Sequence, residues 1–185
     1  MDYKQINTPK PTSLWRLLFI IALFLIAVPF ISPAIKEKIS KVKQTGLEQL
    51  ANKEGFFKVT KIIDGDTIEI TGGVQVRYIG IDTPEKDTDY TEYECYSNEA
   101  TEKNKELLKG MKVKLVADTG GEDKYGRLLR YVYLEDETFV NLELVKNGFA
   151  SVMSIPPNLK FKKTFEEAEK KAILEKKGMW KECTF

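Results

Sequence analysis

The sequence predicts an α+β domain that is mainly β: a small five-stranded Greek-key barrel with three helices, preceded by an apolar N-terminal helix that meets a membrane. Three observations point there. Five short runs rich in Val, Ile, Phe and Tyr fall between residues 56 and 136, each bounded by Gly or Asp. One stretch with helical spacing is inserted among them and two follow. The residues from Leu14 to Ile31, LWRLLFIIALFLIAVPFI, are apolar on every face except at Arg16.

Along the chain, Lys4, Lys10 and Arg16 precede the unbroken apolar run that begins at Leu17, the layout of an export signal or an anchor. Its length lies between a secretory core and the roughly 20 residues of a spanning helix, and Pro29 interrupts its end. Ser32-Pro33-Ala34 supplies small residues for cleavage, with a proline beside the cut. Residues 1–34 therefore read as a signal peptide or a retained anchor, and the lysines that follow (Lys36, Lys38, Lys41 and Lys43) leave the choice open. Residues 35–55 are a polar stalk, and residues 56–185 are the folded domain.

In that domain FFKVTKIIDGDTIEI reads as two strands joined at Asp64-Gly65, because Asp-Gly between alternating apolar residues is a strong hairpin signal. GVQVRYIGI is the third strand, MKVKLVAD the fourth and GRLLRYVYLED the fifth. SNEATEKNKELLKG has Ala100, Leu107 and Leu108 at helical spacing and stops at Gly110. NLELVKNG is a second helix, and TFEEAEKKAILEKKGMW gives a final amphipathic helix ended by Gly178. Five strands with a helix after the third suggest a closed barrel of the oligonucleotide-binding type, which by fold alone implies only binding.

Composition narrows the chemistry. The chain of 185 residues holds no His, which removes imidazole bases, Ser-His and Cys-His pairs and His-ligated zinc. Its two cysteines cannot make a four-thiolate metal site. Cys95 and Cys183, in a chain with an export segment, fit a disulfide in an oxidising compartment, with two buried thiols as the alternative. Carboxylates, guanidiniums, lysines, tyrosines and a hard, oxygen-seeking metal remain. Residues 1–34 carry three basic residues and one acidic, so the rest holds 26 Lys plus Arg against 27 Asp plus Glu. Contact with a polyanion therefore requires a local basic cluster.

Three segments supply candidates. IDGDT sets Asp66 just past the hairpin turn. RYIGIDTPE puts Arg77 inside a strand and Asp82, Thr83 and Glu85 at its acidic end, and DKYGR puts Arg127 at the start of another strand. Each has a plain structural reading as a turn or a loop exit. Together, VTKIIDGDTIEI, VRYIGIDTPE, DKYGRLLRYVY and NLELVKNGFA resemble the staphylococcal nuclease (thermonuclease) family over residues 56–180, about two-thirds of the chain. The resemblance implies a calcium-dependent phosphodiesterase on a five-stranded barrel, acting on DNA and RNA with little sequence specificity and leaving 3′-phosphate ends. By that resemblance Asp66, Asp82 and the main-chain carbonyl of Thr83 hold Ca2+, Arg77 and Arg127 grip the phosphate, and Glu85 activates or orients water. Lys124 and Tyr125 match positions that contact a terminal phosphate.

The assignment has a physical rationale of its own. A phosphodiester under attack gathers charge, so its site needs fixed cations and a placed water. Arginine suits it because its planar fork holds two phosphoryl oxygens at once. The sequence departs from the family where two tyrosines would flank the nucleotide: Ser154 and Pro156 stand near those places, and a stacked ring is worth ~1–3 kcal/mol per base. The loop EKDTDYTEYECYSNEA is acidic; it is a solvated loop or, through Asp87 or Asp89, a second calcium contact. Two functions follow: an extracytoplasmic nuclease, secreted or held to the membrane and monomeric, or a barrel that binds nucleic acid without cleaving it. Glu85 beside both arginines favours the first, since an uncompensated carboxylate repels phosphate.

Overall fold

Residues 55–85 and 94–184, with positions 32, 33, 35, 37 and 38, are described by the computed structural model. The apolar run at 14–31 and most of the stalk lie outside the described residues. Contacts divide the chain into Met1–Glu48 and Gln49–Phe185. In the first unit positions 33, 35, 37 and 38 are helical. Among the described residues no helix is long and apolar enough to cross a membrane.

In the second unit β1 (Phe56–Ile62) pairs antiparallel with β2 (Thr67–Ile70), and β2 with β3 (Val74–Tyr78). β3 then runs parallel to β6 (Leu128–Leu134), which pairs antiparallel with β5 (Lys112–Val116), and β5 returns to β1. The order β1-β2-β3-β6-β5 closes the barrel and leaves it no free edge. Strand periodicity fills it: Val74, Val76 and Tyr78 of β3 are buried while Gln75 between them is exposed. Ile68, Ile70, Val113, Leu128 and Val132 complete the interior.

The third strand read from the sequence is in fact two. It breaks at Ile79, and β4 (Gly80–Asp82) leaves the barrel to pair with β7 (Ser151–Met153) in a separate two-stranded sheet. Gly80 has φ of 82°, and a Cβ there would lie 2.6 Å from Cε2 of Phe165, so the bend needs glycine on both counts. Asn141, fully buried, fixes the break by donating from Nδ2 to the Ile79 carbonyl at 3.0 Å and accepting from the Val132 N–H at 2.9 Å. Arg77 consequently stays on a barrel strand while Asp82 is carried out to the second sheet.

The second unit carries four helices among its described residues: α1 (Ser97–Leu108), α2 (Val140–Lys146), α3 (Lys162–Leu174) and the single turn α4 (Met179–Glu182). The sequence reading ended the last helix at Gly178; α3 stops at Leu174, and Gly178, at φ of 53°, leads into the further turn α4. Phe165 of α3 and Phe161 just before it pack with Tyr131 and Phe139, with Tyr131 and Phe161 edge-to-face at 4.7 Å between ring centres. α1 is tied to the barrel by Asn104, whose Nδ2 donates to the Asp64 carbonyl at 2.8 Å and whose Oδ1 accepts from the Tyr78 hydroxyl at 2.9 Å.

Cys95, just before α1, is disulfide-bonded to Cys183, which caps α4, with a sequence separation of 88. A ring of that length restricts the unfolded chain by about 4–5 kcal/mol in the entropic treatment, and native disulfides of small domains contribute ~2–5 kcal/mol. Reduction, or the double substitution Cys95→Ser and Cys183→Ser, is expected to lower unfolding free energy by ~2–5 kcal/mol. Denaturant melts with and without reductant measure it, and superimposable curves would refute it.

Candidate active site

The connection between β1 and β2 is longer than the two-residue turn expected at Asp64-Gly65. It spans Ile63 to Asp66, with the Thr67 carbonyl accepting from the N–H groups of Ile63 at 3.0 Å and Asp64 at 3.3 Å. Gly65 does not have positive φ. Its requirement is space, since a Cβ there would lie 2.5 Å from Oγ1 and 2.8 Å from Cβ of Thr83. That close approach sets Asp66 against Thr83.

The buried Asp66 carboxylate accepts from the Thr83 N–H at 2.8 Å and the Thr83 hydroxyl at 3.0 Å through Oδ2, and from the Thr67 hydroxyl at 3.2 Å through Oδ1. Arg77 spans two acids: its Nη1 lies in an ion pair with Asp66, and its Nη2 donates to Asp82. The Arg77 side chain is 12% exposed. Burial pulls Arg77 below its usual pKa against the attraction of Asp82 and Asp64. Burial likewise raises the Asp64 carboxyl, against the nearby charge of Arg77 and the bond from Thr67. Asp64 also accepts the Asp66 N–H at 3.0 Å, which makes it the support of the turn.

Arg127 enters from the loop before β6. Asp123 holds it: Oδ1 accepts from the N–H groups of Tyr125 at 2.9 Å and Arg127 at 3.0 Å, while Oδ2 accepts from Nε of Arg127 at 2.6 Å. The same loop presents Lys124 and the exposed Tyr125, whose ring lies 5.4 Å beneath the Arg127 guanidinium.

Arg77, Asp82, Glu85, Lys124, Tyr125 and Arg127 line one cleft of about 640 Å³. Asp66 and Thr83 are absent from its lining and sit behind Arg77. The opposite wall is apolar, made by Met153, Ile155, Pro156 and Pro157. Of the two residues near the places of the family's tyrosines, Pro156 lines the cleft, and Ser154 lies between the lining residues Met153 and Ile155 with its hydroxyl buried. The extended chain after β7 alternates, so Met153 and Ile155 take the wall. Asp87 and Asp89 lie outside the described residues.

Sequence reasoning missed Asp123 as the holder of Arg127. An aspartate three residues before the Gly of a turn was the available signal, since such a side chain accepts backbone N–H groups locally. Burial alone would raise the Asp123 carboxyl, but the bonds from Arg127 and Tyr125 outweigh it and hold the group below the usual carboxylate range. A depressed carboxyl contributes stability that is complete above the unfolded value of about 3.9 and is lost as pH falls through the folded value. Asp123→Asn is therefore expected to cost ~1–2 kcal/mol near pH 7, with the gap from wild type closing below about pH 4. Urea melts at pH 7 and pH 3 test this; a gap that widens in acid would contradict it.

Two carboxylates converging on one guanidinium, with a main-chain carbonyl next in sequence, form a hard-oxygen donor set of the kind Ca2+ takes. Among the described residues no group of three or more His, Cys, Asp or Glu side chains that could hold a metal ion is found, and the Asp66 and Asp82 carboxylates are paired with Arg77.

The family model for staphylococcal nuclease homologues matches residues 75–182. The chain is 40% identical over 141 residues to the thermonuclease of Staphylococcus hyicus, a match covering 75% of this chain and 82% of that one. It is also 40% identical over 127 residues to the thermonuclease of Staphylococcus intermedius, covering 67% and 75% respectively. Endonuclease YncB of Bacillus subtilis (strain 168) is 35% identical over 145 residues, 75% of this chain and 68% of that protein. The matched stretch contains Arg77, Asp82, Glu85 and Arg127 in their strands and loops, and the chain belongs to the staphylococcal nuclease family as a phosphodiester-cleaving nuclease.

Proposed function

We propose that this nuclease is calcium-dependent, works outside the cytoplasm and cleaves DNA and RNA with little sequence preference, leaving 3′-phosphate ends. The observation that carries the chemistry is one cleft lined by Arg77, Asp82, Glu85 and Arg127. Arg77 and Arg127 bind the phosphate from two sides, held in place by carboxylates before substrate arrives, so the developing charge meets cations that need no reorganisation. Glu85 takes a proton from water at a carboxylate oxygen as that water's oxygen bonds to phosphorus. The bond from phosphorus to the 5′-oxygen breaks, and the leaving oxygen takes a proton from solvent. Lys124 and Tyr125, at the mouth, meet a terminal phosphate.

Asp66, Asp82 and the Thr83 carbonyl would hold the calcium ion, whose charge offsets that of the phosphate. An uncharged role for these acids is hard to reconcile with a polyanion's path, which argues against a barrel that only binds. The apolar run at 14–31 and the disulfide between Cys95 and Cys183 support export, with the domain secreted or tethered, and the protein is proposed to act as a monomer.

Purified protein incubated with single-stranded DNA, duplex DNA and RNA should cleave in calcium, poorly in magnesium, and not in chelator, because an irregular oxygen site suits the larger ion. Full activity in chelator would overturn the metal assignment. Glu85→Gln, Arg77→Lys and Arg127→Lys are each expected to lower turnover by about 10²–10⁴-fold with an unchanged circular dichroism spectrum. Wild-type turnover in any one of them removes that residue from the mechanism.

A further inference from the structure

We infer that Glu94 is a positioning residue for Glu85, an inference that rests on the role proposed for Glu85 above. The two residues form a closed pair: the Glu85 N–H donates to Oε2 of Glu94 at 2.9 Å, and the Glu94 N–H donates to the Glu85 carbonyl at 3.3 Å. These are the main-chain hydrogen bonds of Glu85 among the described residues. Upstream, the last fixed point is Thr83, locked to Asp66, and Pro84 has no N–H to give.

Glu94 stands on firmer ground than the residue it holds. Its carbonyl accepts the Ser97 N–H at 3.1 Å at the entry to α1, and its neighbour Cys95 is bonded to Cys183 beside α4. α4 is anchored in turn, with the Met179 N–H donating to the Gly148 carbonyl at 2.9 Å. Position is thus passed from α1 and the disulfide through the Glu94 carboxylate to the backbone of Glu85. A general base displaced by about 1 Å can lose on the order of 10²-fold in rate, so one main-chain bond at this point matters to catalysis. Glu94 itself is exposed and absent from the lining of the cleft.

Because the acceptor serves a neutral N–H, an amide oxygen can take its place. Glu94→Ala is expected to lower kcat about 10–100-fold with KM within about twofold. Glu94→Gln should recover most of that loss, and Glu94→Ala placed on Glu85→Gln should cost nothing more. The readouts are steady-state kinetics on the full chain with single-stranded DNA, with thermal melts to verify folding. Wild-type kcat in Glu94→Ala, equal losses in the Ala and Gln variants, or additive losses in the double variant would each overturn the inference. Wild-type turnover in Glu85→Gln would remove the role of Glu85 and this inference with it, whereas a slow Glu85→Gln beside a fast Glu94→Ala removes this inference alone.

Discussion

The buried carboxylate of Asp66 is the joint on which the rest of the site depends. It receives the main chain and hydroxyl of Thr83, the hydroxyl of Thr67 and the charge of Arg77, so one side chain ties the β1–β2 connection, β3 and the end of β4 together. A carboxylate this deep is costly unless every lone pair finds a donor, and once satisfied it fixes a unique arrangement. Gly65 lets Thr83 come close enough, and Asn104 keeps the connection from drifting by holding the Asp64 carbonyl.

Cationic chemistry is built here from restrained arginines. Arg77 is held by two acids, one on the β1–β2 connection and one on β4, and Arg127 by one acid of its own loop through Nε. The arrangement explains why the surface as a whole need not be basic. A near-neutral protein can still meet a phosphate with aimed, partly desolvated guanidiniums, even where Asp82, Glu85, Glu122 and Asp123 line the same cleft. The cost is that Arg77 shares its charge with carboxylates when the cleft holds no phosphate, so the site trades phosphate affinity in the resting state for order.

Much of this was legible in the sequence, and the rest had physical reasons for hiding. Alternation marks β3 because its two faces are unlike, and the spacing from Arg77 to Glu85 is readable because strand and turn chemistry are local. The break at Gly80 was hidden because it answers to Phe165, which lies far along the chain. Gly65 carried the signature of a hairpin turn, but its reason is the approach of Thr83. β7 is three residues long and pairs only with β4, so no periodicity could announce it, and with it went the alternation that puts Met153 and Ile155 on the wall. Asp123 was readable as a turn residue, but its grip on Nε of Arg127 is a property of three dimensions.

The disulfide makes a covalent ring of everything from Cys95 to Cys183, and the Asp123–Arg127 loop lies on that ring. A protease that cuts the backbone once at an exposed loop tip such as Gly121 leaves two pieces that stay joined, with the strands on either side still paired to the barrel. Arg77 and Glu85 lie on the tail outside the ring, so a cut between them and Cys95 has no such insurance. Protection against backbone cleavage is therefore unevenly distributed along the chain, and a single cut between Glu85 and Cys95 leaves the two sides of the cleft joined only by the pairing of their strands.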